Sequence, residues 1–334
     1  MTTLPNDTST VTSRSMAQYQ HFFPGWGYIL LRHLDHECRV PMANYRNSSF
    51  PDKAISYQVL DCLLRQFPEF RKAELSASAV VLGLIPAILQ LLSPTSAETA
   101  MLGVRRPLLA LLISASIASA SPLRNGQYVG GAAELDRPLP RETSGRVPFT
   151  LLAKSWQMSR WIPVIVSMVE YLIAGAAAAN TAYRTYQLCL WTVCTFVPTQ
   201  AFLPAMWHVG AFSIHLLGWF GALIRFRSRP KERRCWATRW LRMEVVPSAW
   251  ATNFSIKKRG GSATEYVLYM TDFVMYVLVP LQIFYGSIIL SSLVFVSVFD
   301  AVSLVCWYSL STITCRAILL YEFAGMRQTM HADR

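Results

Sequence analysis

Residues 185–224 read TYQLCLWTVCTFVPTQAFLPAMWHVGAFSIHLLGWFGALI, 40 residues without one formal charge. A bilayer core is crossed by about 20 mostly apolar helical residues. This run is therefore long enough for two passes. Pro198 and Pro204 lie around its middle, where a helix breaks or kinks. The reading is two adjacent spans, 185–203 and 206–224.

The same measure applies outward along the chain. Residues 76–97 (SASAVVLGLIPAILQLLSPTSA) are 22 without a charge, and residues 107–123 are 17, the second half small and weakly apolar. Residues 161–183 contain one charge, Glu170; residues 273–299 are 27 without any; residues 301–321 contain one, Arg316. Seven spans are predicted: 74–94, 104–121, 161–182, 185–203, 206–224, 266–294 and 299–321. The fold class is all-α, a polytopic transmembrane helix bundle of six to seven spans. Span 104–121 is the weakest and is compatible with a re-entrant or interfacial segment. Pro280 predicts a kinked or tilted sixth span. A polar, interfacial N-terminal region (1–73) precedes this transmembrane domain (74–321), and a short tail (322–334) follows it.

Composition supports a membrane protein. The chain has 334 residues, 53% hydrophobic and only 15% charged, where a soluble domain carries about 25% charged residues. Mean hydropathy is +0.30. These values exclude an ordinary cytosolic enzyme and a disordered chain. The net charge of +12 is concentrated: residues 225–260 hold 11 basic and 2 acidic residues, against 8 and 7 in residues 1–75. Such a segment fits a loop facing anionic lipid, here the basic loop 225–263, and not a nucleic-acid surface. Trp236, Trp240 and Trp250 place part of that loop at the interface.

Lys/Arg bias sets orientation. With seven spans, the basic loop and C-terminus share the cytosolic side, and the N-terminus and loop 122–160 the lumenal side; if 104–121 does not span, the N-terminus moves to the cytosol. Asn6 and Asn47 head N-x-S/T sequons on the lumenal side and are candidate glycosylation acceptors. Asn253 heads another sequon in the basic loop, and six Lys/Arg lie in 122–160; both run against this assignment. The polar N-terminus has no apolar h-region, so no cleavable secretory signal is expected. Seven cysteines, odd in number and scattered without CxxC, predict neither a disulfide framework nor a zinc site. No metal or cofactor is expected. The ligand-rich run His33-Leu34-Asp35-His36-Glu37-Cys38 is not HExxH and reads as part of an interfacial aromatic segment beginning at His21.

Ionisable groups inside spans are costly and point to function. Glu170 sits mid-span beside Ser167 and the small-residue run 174–179, where a helix–helix hydrogen bond is the structural alternative. Asp272 shares a helical face with Tyr269 and Tyr276, a trio that could hold a proton, cation or polar substrate group, or form an interfacial aromatic belt. Glu170 and Asp272 are the candidate catalytic residues; Tyr269, Tyr276 and His215 are the candidate substrate-binding residues. His208 and His215 lie seven apart, on about one face, as relay or packing residues. Asp300 reads as the N-cap of the last helix, and Arg316 as a snorkelling or paired cation. GxSxG, Walker A, GxGxxG, HExxH and paired Asp-rich motifs are absent.

The stretch Pro68-Glu69-Phe70-Arg71-Lys72-Ala73-Glu74 through Pro86 resembles a group of filamentous-fungal multi-pass integral membrane proteins. Residues Ser291 to Asp300 and Cys315-Arg316-Ala317-Ile318-Leu319-Leu320-Tyr321-Glu322 share that resemblance, which covers most of residues 60–325. These motifs carry no known chemistry. The resemblance implies a setting near secondary-metabolite genes. Two functions follow as expectations. The first is an accessory protein handling or transporting a lipophilic metabolite, with the bilayer and anionic lipid as partners and no nucleic acid. The alternative is an intramembrane enzyme: a carboxylic acid in hydrocarbon stays protonated more easily and could act as a terpene-cyclase-like acid catalyst. A receptor is the third and weakest reading.

Overall fold

The computed structural model describes residues 17–47, 53–121, 161–228, 236–250, 256–258 and 262–332. In chain order the helices are α1 (Gly27–Asp35), α2 (Arg39–Asn47), α3 (Lys53–Gln66), α4 (Glu69–Leu92), α5 (Ser96–Arg105), α6 (Pro107–Ser116), α7 (Ile162–Leu190), α8 (Leu203–Arg225), α9 (Trp236–Val245), α10 (Ser262–Ser291) and α11 (Val298–Ala332). Two short antiparallel ladders join β1 (Val193–Cys194) to β4 (Leu293–Val294), and β2 (Phe226–Ser228) to β3 (Ile256–Lys258). The chain is thus an all-α helical protein. Among the described residues, five helices are long and apolar enough to cross a membrane: α4, α7, α8, α10 and α11.

Two of the seven expected spans are not single helices. In 104–121, Pro107 follows Arg106 and drives it out of the helical region, to φ −123° and ψ 76°. The result is α5 and α6, ten residues each, about 15 Å long and too short to cross. In 185–203, residues 185–190 complete α7, while 191–202 form a non-helical connection containing β1. Thr192, Val193, Cys194 and Ala201 are buried there. The connection is partly buried, with Phe196 and Phe202 exposed, and an uncharged, partly buried loop has the hydropathy of a span. The expected tail 322–334 is also helical as far as Ala332.

The chain divides into two compact units. The first comprises Met1–Leu84, Thr185–Ala205 and Ile288–Leu304. Leu30, Leu34 and Cys38 recur every fourth residue and turn one stripe of α1 and its extension inward. They pack with Met42 and Tyr45 of α2, Val59, Leu60 and Leu63 of α3, and Val193 and Phe295 from the two short connections. Burial pushes the Tyr45 phenol up to about 12. Cys38 and Cys62 form a disulfide, contrary to the expectation from the odd cysteine count; the paired thiols were hidden among cysteines that serve as small apolar residues. Within the run 33–38, Cys38 is bonded to Cys62 and His33 Nδ1 to Glu37 at 3.1 Å. The His33 bond holds the Glu37 carboxyl below its ordinary range.

The start of α11 fixes the PGWG turn. Ser297 precedes the helix, and its Oγ accepts from Asp300 N at 3.1 Å. Ser297, not Asp300, is therefore the cap. The Asp300 carboxylate accepts from Ser297 Oγ (2.7 Å) and from Gly25 N (3.0 Å). A Cβ on Gly25 would stand 2.6 Å from Asp300 Oδ2, closer than atoms pack, so only glycine fits.

The second unit comprises Ile85–Arg184, Met206–Ser287 and Val305–Arg334. Here α5 and α6 pack against each other and a β-bridge joins Thr95 to Ser121. Segment 95–121 is therefore a helical hairpin that returns close to its point of entry, with its tip at Arg105-Arg106. It is packed among Ala174 and Ala177 of α7 and Cys315, Ile318 and Leu319 of α11. The small residues of the 174–179 run permit that approach.

Two outcomes test the first unit. Gly25→Ala is expected to lower its stability by about 1–3 kcal/mol through overpacking. Reducing the disulfide is expected to remove about 3 kcal/mol. Both read out as earlier proteolysis between residues 17 and 84 on a thermal ramp.

Candidate functional site

The second unit holds one concentration of buried charge among the described residues, at the hairpin tip. Arg106 is 0% exposed. Its Nη1 donates to Glu322 Oε1 of α11 at 2.7 Å and also to Glu170 Oε2 of α7. Its Nη2 donates to Ser167 Oγ at 2.6 Å, and its guanidinium carbon stands 5.3 Å from the Tyr171 ring centre. Glu170 and Glu322 are themselves 5% and 0% exposed. A guanidinium suits this position because its fork of donors can engage two helices at once.

The connection after β2 closes the site. Glu244, near the end of α9, accepts from Leu108 N at 2.8 Å through Oε1 and from the Tyr171 hydroxyl through Oε2. Leu108 lies in the first turn of α6, so Glu244 satisfies an orphan N–H at a helix N-terminus, where a negative charge is favoured. Ser167 Oγ donates to the Glu244 carbonyl at 3.2 Å, and Arg105 Nη2 donates to the Val246 carbonyl at 3.2 Å. Ser248 donates to Glu322 through both its hydroxyl and its backbone N–H, the latter at 3.3 Å.

The inner end of the hairpin is also tied down. Thr95 and Glu98 form a capping box at the start of α5. His215 Nδ1 pairs with Thr99 Oγ1 at 2.9 Å, and His208 Nε2 with the Ala115 carbonyl at 2.9 Å. The two histidines of α8 thus each hold one arm of the hairpin, each through its own partner. Gln282 of α10 donates to the Ala118 carbonyl at 3.0 Å, and Ser119 to the Pro86 carbonyl at 3.0 Å. Arg316 Nη1 donates to the Leu92 carbonyl at 3.0 Å, covering the exposed C-terminal carbonyls of α4.

Of the residues expected at a site, Glu170 and His215 are buried in this unit, in separate clusters. Glu170 has Arg106 for a partner, not Asp272. Asp272 is partly exposed, between Tyr269 and Tyr276, which are 68% and 67% exposed and face outward. Asn47 is exposed at the end of α2; Asn6 lies outside the described residues. Arg106, Glu244 and Glu322 belong to the network without having been singled out as site residues. Their signal was the doublet Arg105-Arg106 directly before Pro107, flanked by apolar runs on both sides.

No known protein family matches the chain, and no curated protein or solved structure is significantly similar to it. The site's chemistry is therefore read from its own geometry. It can hold charge in a low-dielectric interior and lock three segments to the hairpin tip. Breaking one side of such a pair leaves a buried charge uncompensated, at a cost of about 3–5 kcal/mol. Arg106→Met is expected to lower the thermal midpoint of the detergent-purified protein accordingly. Adding Glu170→Gln and Glu322→Gln to Arg106→Met is expected to restore part of the loss, because the two carboxylates are then not left buried without their guanidinium.

Proposed function

We propose that this multi-pass membrane protein is non-enzymatic and handles or moves a lipophilic metabolite, with hairpin 95–121 as its polar working part. The observation that carries this reading is the interrupted hairpin itself, whose tip holds a buried guanidinium between carboxylates of two long apolar helices. Broken helices and buried ion pairs mark the paths of carriers. The resemblance to filamentous-fungal membrane proteins supports a secondary metabolite as the cargo. Acid catalysis has weaker support: Glu170 is paired with Arg106 and not with Asp272, and Asp272 lies with outward-facing tyrosines.

The orientation belongs to the same proposal. Four successive crossings by α7, α8, α10 and α11 would put connections 191–202 and 292–297 at one membrane face and connection 226–261 at the other. The first two carry no charge, and the third carries ten Lys/Arg. Disulfide Cys38–Cys62 belongs to the same unit as the two uncharged connections. Disulfides persist in oxidising compartments, and Lys/Arg-rich connections stay in the cytosol; the two rules agree.

Sealed vesicles bearing the protein are expected to retain or release members of a lipophilic compound panel differently from empty vesicles, and Arg106→Met is expected to abolish the difference. Identical behaviour of protein-bearing and empty vesicles would remove the carrier reading. For orientation, trypsin applied to the cytosolic face is expected to cut within 226–261, and trypsin sealed inside is expected to leave that connection intact.

A further inference from the structure

Glu170 Oε2 and Glu322 Oε1 accept from the same nitrogen, Nη1 of Arg106. Two oxygens held by one nitrogen lie within about 5 Å of each other, roughly twice a hydrogen-bond length. Both side chains are more than nine-tenths buried. Two carboxylates that close, out of water, do not both stay ionised without full compensation, and they titrate as a pair.

The surrounding groups favour one carboxyl over the other. Glu322 accepts from Arg106, from Ser248 N and from Ser248 Oγ, so its negative charge is well held. Glu170 accepts from Arg106, and among the described residues its Oε1 is buried with no hydrogen-bond partner. Arg105, the other nearby cation, directs Nη2 to the Val246 carbonyl. Glu244 is satisfied by Leu108 N and the Tyr171 hydroxyl. Ser167 accepts from Arg106 and donates to the Glu244 carbonyl. Tyr321 precedes Glu322 on α11 and is half-buried.

We propose that Glu170, the less satisfied of the two neighbouring carboxyls, takes up and releases one proton, while Glu322 anchors Arg106. Uptake of a proton from water neutralises Glu170 and weakens the link from the hairpin tip to α7; release of that proton to water restores it. The hairpin tip is then a proton-sensitive latch. This assignment rests on the side-chain geometry and holds whether or not a metabolite is carried.

The test is infrared difference spectroscopy of the purified full chain in lipid nanodiscs, titrated from about pH 5 to about pH 10. The expected result is a protonated-carboxyl stretching band that titrates in the wild type, is lost in Glu170→Gln and is kept in Asp272→Asn. Glu322→Gln leaves one carboxyl beside Arg106 and is expected to abolish the band as well, which supplies a reading if Glu170→Gln does not fold. The absence of a titrating band in the wild type would overturn the proposal. So would its survival in Glu170→Gln, or its loss in Asp272→Asn alone.

Discussion

A fully buried guanidinium in a lipid-solvated protein is tolerable only if its charge meets carboxylates inside the fold. Arg106 imposes that constraint on the second unit. Its carboxylate partners come from α7 and α11, and its neighbour Leu108 takes a third carboxylate, from the end of α9. These segments are far apart in sequence, so the ion network closes the unit at the hairpin tip. The hairpin needs this closure because its two helices are too short to satisfy their backbone ends across a bilayer. Hydrocarbon offers no substitute partners. The ends are met instead by protein groups: the Thr95–Glu98 box at the start of α5 and Glu244 at the start of α6.

The first unit obeys a different logic. It is assembled from short helices around aromatic residues and a disulfide, with two uncharged connections folded into its core. Phe295 shows how strongly that core specifies its own geometry. Its φ is +71°, a region an aromatic residue seldom adopts. It is fully buried, with its ring 5.8 Å from Phe22 and 6.3 Å from Phe67. Packing of this kind outweighs a local backbone preference.

The membrane class was legible in the sequence because uncharged length is a direct measure of lipid solvation. The helices containing Glu170, Gln282 and Tyr308 follow from that measure alone. It fails where an apolar stretch is an irregular, partly buried connection, as in 191–202. It also fails where a proline splits one stretch in two, as at Pro107. The site was legible only in part. Glu170 stood out because it is alone in a long uncharged run. Glu322 lay at the edge of one, next to the expected tail, and Arg106 looked like the boundary of a weak span. Their pairing spans 216 residues, and no local pattern encodes a contact at that separation. The capping box Thr95–Glu98, followed ten residues later by Arg105-Arg106-Pro107, is the local trace of the hairpin.

Backbone hydrogen exchange across residues 95–121, measured on the protein in lipid nanodiscs, tests the ion-locked hairpin most directly. The account predicts protection from Thr95 to Ser121 as strong as in α7 and α11, including the amide of Leu108, and selective loss of that protection when Arg106 becomes methionine. Exchange over 95–121 as fast as in an exposed loop, or protection unchanged in Arg106→Met, would contradict it.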